Sequence, residues 1–207
     1  MAIFGTPFNV DVFHVEVFEY SFNMLSNGTM DVLAIGATHT MERDVFQGTA
    51  ETGLNFATPY FYSGLLFGGL PDYVECADRL DSLNGICRDL KLCVVKGTTH
   101  ERILQDKLPG GVVVSGSIYE DIFDNFQNGT CQVIASEPYD LNLKQVRDAG
   151  YFGDFALGHN LLSREPLSFV TRQTDSDWSN LVNLIVNIFY LAEAHNISQS
   201  NAEELLD

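Results

Sequence analysis

Basic residues are what this 207-residue chain has least of. Eleven lysines and arginines stand against 28 aspartates and glutamates, a formal net charge of −17. Phosphate binding needs a basic footprint, so the composition argues against nucleic acid and against an anionic membrane surface as partners. An arginine that binds an anion in such a field must act locally, inside a pocket. Long hydrophobic runs are also missing. A membrane-spanning helix needs roughly 20 consecutive apolar residues. The most apolar segment, WSNLVNLIVNIFYLAEA, carries Asn180, Asn183 and Asn187 on one helical face, the mark of an amphipathic helix on a core. MAIFGTPFNV lacks the basic start and apolar centre of a secretory leader. No C-x-x-C pair, phosphate-binding glycine loop or Ser-His-Asp set occurs, and the five histidines show no metal-ligand spacing, so neither metal nor cofactor is expected.

Four cysteines are present, Cys76, Cys87, Cys93 and Cys131, an even count that permits disulfides as well as free buried thiols. Asn27, Asn128 and Asn196 head N-x-S/T sequons, which are glycan acceptors only in a secreted eukaryotic chain. The pattern along the chain alternates strand and helix. VDVFHVEV alternates like a strand, EYSFNMLSNGT reads as a short helix, and MDVLAIGA is a near-continuous apolar run of the buried-strand kind. TPYFYSGLLFG is a further strand candidate. From about residue 70 the texture changes to a polar connection, LPDYVECADRLDSLNGICRDL. A strand–helix–strand–helix–strand series follows, from KLCVV to CQVIASE. Such a series gives a parallel sheet flanked by helices. EPLSFVTRQ reads as one more strand, and a long helix begins near Asp175 to Asp177.

Ligands of open α/β sheets sit beyond the carboxyl ends of strands. Three such ends carry polar groups here: Thr38 to Arg43 after DVLAIG, Gly97-Thr98-Thr99 after LCVVK, and Glu137 after CQVIAS. One offers a cation, one hydroxyls and free amides, one an anion, a set that suits a zwitterion.

These blocks resemble a known family, the extracytoplasmic solute-binding proteins of polar and general amino-acid ABC transporters (family 3). LSNGTMDVLAIGATHTMERD, FATPYFYSG, CVVKGTTHE, NGTCQVIASE and LSREPLSFVTRQTDSDW with AEAHNISQSNAEEL are similar to its blocks, in the family's order and over nearly the whole chain. The resemblance implies an α/β, two-lobed type II periplasmic-binding fold with parallel-rich sheets flanked by helices. Lobe 1 would be residues 1–66 plus 168–207, and lobe 2 residues 67–167. It implies a monomer that binds an L-amino acid outside the cytoplasm and serves a membrane transporter or receptor. By the family pattern several tens of residues ahead of AIFGTPFNVDVFHVEV are expected to be absent, which would leave a sheet edge open.

Residue by residue, the resemblance gives Arg43 the ligand carboxylate, gripped by two parallel hydrogen bonds. The bland alternative is a surface arginine paired with Glu42 or Asp44. Thr38 and the amide near Gly36 would complete the carboxylate site. Thr98 and Thr99 would add a helix N-terminus, unless they serve only as caps. Glu137 falls where the family has an aspartate for the ligand ammonium, one methylene shorter. Cys93 and Cys131 match two cysteines of the general amino-acid branch and are expected to pair; Cys76 and Cys87, flanking a ten-residue loop, are candidates for a second bridge. Tyr60, Phe61 and Tyr62 are read as hinge core, and Trp178 as the anchor of the last helix. Two other functions stay open: a dehydratase of cyclic carboxylic acids, with Glu137 as general acid, and a remnant that binds nothing.

Overall fold

Two sheets organise the chain. The structure, a computed structural model, describes residues 10–12, 14–45, 53–80 and 85–202. Residues 1–9, where no leader was read, lie outside them. In chain order the elements are α1 (Phe18–Ser26), β1 (Leu33–Thr38), α2 (Met41–Val45), β2 (Leu54–Phe56), β3 (Phe61–Ser63), β4 (Leu66–Gly69), α3 (Pro71–Asp78), a 3₁₀ turn (Gly85–Asp89), β5 (Leu92–Val95), α4 (Thr99–Lys107), β6 (Val113–Gly116), α5 (Tyr119–Gln127), β7 (Val133–Ser136), α6 (Leu143–Asp148), β8 (Ala156–Leu157), β9 (Glu165–Arg172) and α7 (Ser176–Ala194).

The first sheet is built around β9, which pairs antiparallel with β1, β2 and β3. The second has the order β6-β5-β7-β4-β8. Here β5 runs parallel to β6 and β7, while β4 runs antiparallel to β7 and β8. The α/β class is as read, but among the described residues parallel pairing is confined to β6-β5-β7. That is where helices α4 and α5 carry the chain back between strands, as parallel pairing requires. In the first sheet β9 arrives last and runs against all its neighbours, so no parallel ladder can form there.

Strand β5 shows why the second sheet is stable. Leu92 and Val94 face a cluster with Phe67, Leu104 and Val133, while Cys93 and Val95 face another with Ile122, Phe126 and Ile134. Successive side chains alternate faces, and both faces are buried. Cys93–Cys131 and Cys76–Cys87 are both bridged, with Cα separations of 5.8 and 5.4 Å. The first sheet packs Leu33, Leu54 and Val170 against Phe22 and Leu25 of α1, and Ala57 against Val182 and Val186 of α7. Asp175 caps α7 by accepting from Trp178 N at 2.9 Å. The Trp178 indole donates to Asp31 O at 2.9 Å, the anchor the sequence suggested.

Two sequons turn out to be helix stops. Asn27 Oδ1 accepts from the amide and hydroxyl of Thr29, and Asn128 Oδ1 does the same with Thr130. Gly28 and Gly129 follow at φ 82° and 81°, a conformation that glycine adopts without steric cost.

Three expectations fail. No strand forms among the described residues of Val10–Val17, because alternation supplies two faces but no neighbouring strand supplies hydrogen bonds. TPYFYSGLLFG is two strands in different sheets, broken at Gly64. Tyr60, Phe61 and Tyr62 are not core: they are 38, 51 and 69 % exposed. Strand β3 pairs on one side only, and its outward rings meet solvent.

The chain passes from the first sheet to the second between Ser63 and Leu66, and returns between Leu157 and Glu165. These crossovers touch: a β-carbon on Gly64 would overlap the Ser163 carbonyl oxygen. Backbone cannot yield as a flexible side chain can. Gly64→Ala should therefore lower unfolding stability by about 1–3 kcal/mol, as overpacking does, read as a lower urea midpoint with the far-ultraviolet circular dichroism of the native chain retained.

Candidate functional site

The site lies where the end of β1 meets the β5–α4 turn and the loop after β7. Arg43 is on the short helix α2, directly after β1, and only 7 % of it is exposed. Its Nη1 donates to Thr38 O at 2.9 Å and its Nη2 to Gly97 O at 3.4 Å. The guanidinium also stands 4.7 Å from the centre of the Phe22 ring and 5.6 Å from that of Phe18. Burial lowers its pKa to about 10, against the opposing pull of Glu165, so the group stays charged at neutral pH. The surface-pair alternative is gone: Glu42 pairs with Arg102, and Asp44 lies 3.7 Å from His39.

Thr38 and Thr99 come from different sheets' surroundings and meet here, their hydroxyl oxygens 3.3 Å apart. Both donate to Glu165 Oε2, Thr38 at 2.6 Å. Thr98 is not part of this group. Its hydroxyl donates to Val95 O at 2.7 Å and accepts from Glu101 N at 3.2 Å, while Glu101 Oε2 accepts from Gly97 N. That is a capping arrangement for α4. Of the two threonines, one caps and the other faces the junction.

Gly36 lies against the opposite side. A β-carbon on it would stand 3.0 Å from the Tyr139 hydroxyl and 4.0 Å from Glu137 Oε1. Glu137 is 5 % exposed, and its Oε2 has no hydrogen-bond partner. Burial pushes its pKa up, with Glu165 and Asp140 adding to the rise and Ser63 and His100 opposing it. A buried carboxyl with one oxygen unpaired is costly unless a cation reaches it.

Glu165 is the residue the sequence reading missed. It is 3 % exposed, starts β9, and takes hydroxyl donors from Thr38, Thr99 and Ser163. His100 Nε2 is 3.1 Å from Glu165 Oε1, in ion-pair range but off the hydrogen-bonding direction. Burial pushes the Glu165 carboxyl up, but His100 and the hydroxyls outweigh it and hold the pKa at about 2. A cavity of about 220 Å³ opens beside this group, lined by Thr38, Thr40, Thr99, Arg102, Arg164 and Glu165 among others. The available signal was an acidic residue opening an otherwise apolar strand, EPLSFV.

The two carboxyls act oppositely on stability. Glu165 has a depressed pKa, so its contribution is present above the ordinary carboxylate range and is lost as pH falls towards 2. Glu137 has a raised pKa, so the fold loses stability as pH rises through the ordinary glutamate range and Glu137 ionises. Glu137→Gln should raise the melting temperature at pH 7, with the gain shrinking below about pH 4. Thermal melts of both proteins across that range check the sign.

No family model matches the chain. Over 209 residues it is 27 % identical to the glutamate/glutamine/aspartate/asparagine-binding protein BztA of Rhodobacter capsulatus, an alignment of 99 % of this chain and 58 % of that protein. The chain thus spans little more than half the length of this curated relative. Among solved structures, an ABC transporter periplasmic binding protein from Brucella ovis with glutathione bound superposes with a TM-score of 0.74 at 26 % identity, over 98 % of this chain and 61 % of that one. An ancestral amino-acid-binding protein, a precursor of cyclohexadienyl dehydratase, superposes at 0.68 and 20 % identity, over 87 % and 72 % of the two chains. The fold is the type II periplasmic-binding fold, and the chain is similar to amino-acid-binding periplasmic proteins of ABC transporters, as its sequence blocks implied.

Proposed function

We propose that this chain binds an L-amino acid between its two sheets. The observation that carries the reading is a buried cation and a buried acid, of complementary chemistry, at the same junction. Arg43 is a buried cation after β1, and Glu137 is a buried acid with a bare oxygen on the side of β7. A zwitterion has the complementary ends. Arg43, with Thr38, Thr99 and the backbone at Gly36, would take the carboxylate, and Glu137 the ammonium. Thr98 supports the first group by fixing the start of α4. An ammonium beside Glu137 also removes the penalty of its unpaired oxygen, so binding and stability are coupled.

We take residues 1–66 with 168–207 as one lobe and 67–167 as the other, closing about the crossovers at Gly64 and Ser163. The chain changes sheet within a few residues of both boundaries, between Ser63 and Leu66 and between Leu157 and Glu165, which supports a division close to these. The relatives' printed roles support a small amino acid as ligand and a membrane transporter as partner, and the two disulfides fit an extracytoplasmic location; a receptor as partner and a monomeric state are our further reading of the same resemblance. Among the described residues no helix is long and apolar enough to cross a membrane.

Calorimetry with a panel of amino acids tests the reading. Arg43→Lys keeps the charge but loses the planar fork that matches a carboxylate. It should weaken binding at least tenfold, about 1.4 kcal/mol, with the circular dichroism unchanged. No heat from any amino acid overturns the proposal, and turnover of arogenate or prephenate would replace it with the dehydratase reading, Glu137 then being the acid.

A further inference from the structure

The hydroxyl protons at the junction are already committed. A threonine hydroxyl has one proton, and those of Thr38 and Thr99 both go to Glu165 Oε2. Neither can then donate to a ligand carboxylate. Glu165 lies at the end of the returning crossover, directly opposite Ser63 of the outgoing one. Thr38 belongs to the first sheet, and Thr99 opens α4, which packs on the second. One carboxylate therefore ties the two sheets together from the hinge.

We propose that Glu165 is a built-in carboxylate ligand: it fills the hydroxyl pair meant for an external carboxylate, holds the two halves closed without ligand, and is displaced when a solute's carboxylate enters. The clause about displacement by an amino acid rests on the function proposed above; the latch itself does not. A donor for the displaced carboxylate stands ready. His100 is 5 % exposed, its Nε2 lacks a hydrogen-bond partner, and it lies 3.1 Å from Glu165 Oε1. A small rotation would align the two as the threonine hydroxyls are released. The cavity beside Thr38, Thr99 and Glu165 gives the incoming group its route, and Arg164 on its wall favours an anion, Arg102 there being already paired with Glu42.

The test reads conformation in the absence of amino acid. Small-angle scattering should give a compact wild type and an expanded Glu165→Ala variant. Acetate at tens of millimolar should return the variant to the wild-type radius of gyration, and chloride at equal ionic strength should not. A variant as compact as wild type, or one that acetate leaves expanded, overturns the proposal. If Glu165→Ala does not fold, Thr99→Val removes one donor and leaves the carboxylate in place; it should expand the chain, and an unchanged radius overturns the latch. A chain that opens and recloses with acetate yet takes up no amino acid keeps the latch and discards the amino-acid reading, so the two failures are distinguishable.

Discussion

The structure depends on one carboxylate in a place where charge is costly. Glu165 is almost wholly buried, yet its oxygens accept from three hydroxyls, with the His100 imidazole 3.1 Å away. A buried charge persists only when its lone pairs are satisfied. Here the satisfying groups come from β1, from α4 and from the crossover itself. The sheets could not separate without stripping part of that shell, so polar geometry helps to specify the junction. Arg43 adds a second tie by reaching from α2 to Gly97 O, across the same boundary.

Acid predominates in this chain, and the junction shows how it is managed. Glu165 is close enough to raise the pKa of Glu137, but the surroundings of the two carboxyls push them apart. Glu165 receives donors and stays ionised. Glu137 keeps a bare oxygen and resists ionisation. Two carboxyls of one type thus hold different roles through environment alone. The few cations are placed accordingly: Arg43 is buried at the boundary, while Arg102 and Arg164 stand on the wall of the adjoining cavity.

Much of the chain was legible in advance. The series β5-α4-β6-α5-β7 reads from its periodicity and its N-G-T stop, and Arg43 stands out because it follows so apolar a strand. The cysteine pairs followed the resemblance and the loop spacing. Glu165 was not legible, since its partners are 66 and 127 residues away in sequence. No local pattern encodes a contact of that range. Strand β2 and strand β8, three and two residues long, exist only because a neighbour offers them hydrogen bonds. The described residues of Val10–Val17 are the converse, a good alternation with no strand beside it among the described residues. The rings of Phe61 and Tyr62 misled because aromatic content was taken for burial.

Phe18 has a mechanical consequence. Its ring packs against the apolar cluster of the first sheet and against that of the second, with the Arg43 guanidinium beside it. Any separation of the two sheets would wet one side of that ring. Complete burial of such a side chain is worth about 1.5–3 kcal/mol, and half of that would resist the motion. Apolar association weakens on cooling. The contact that α1 makes with both sheets through this ring should accordingly weaken on cooling.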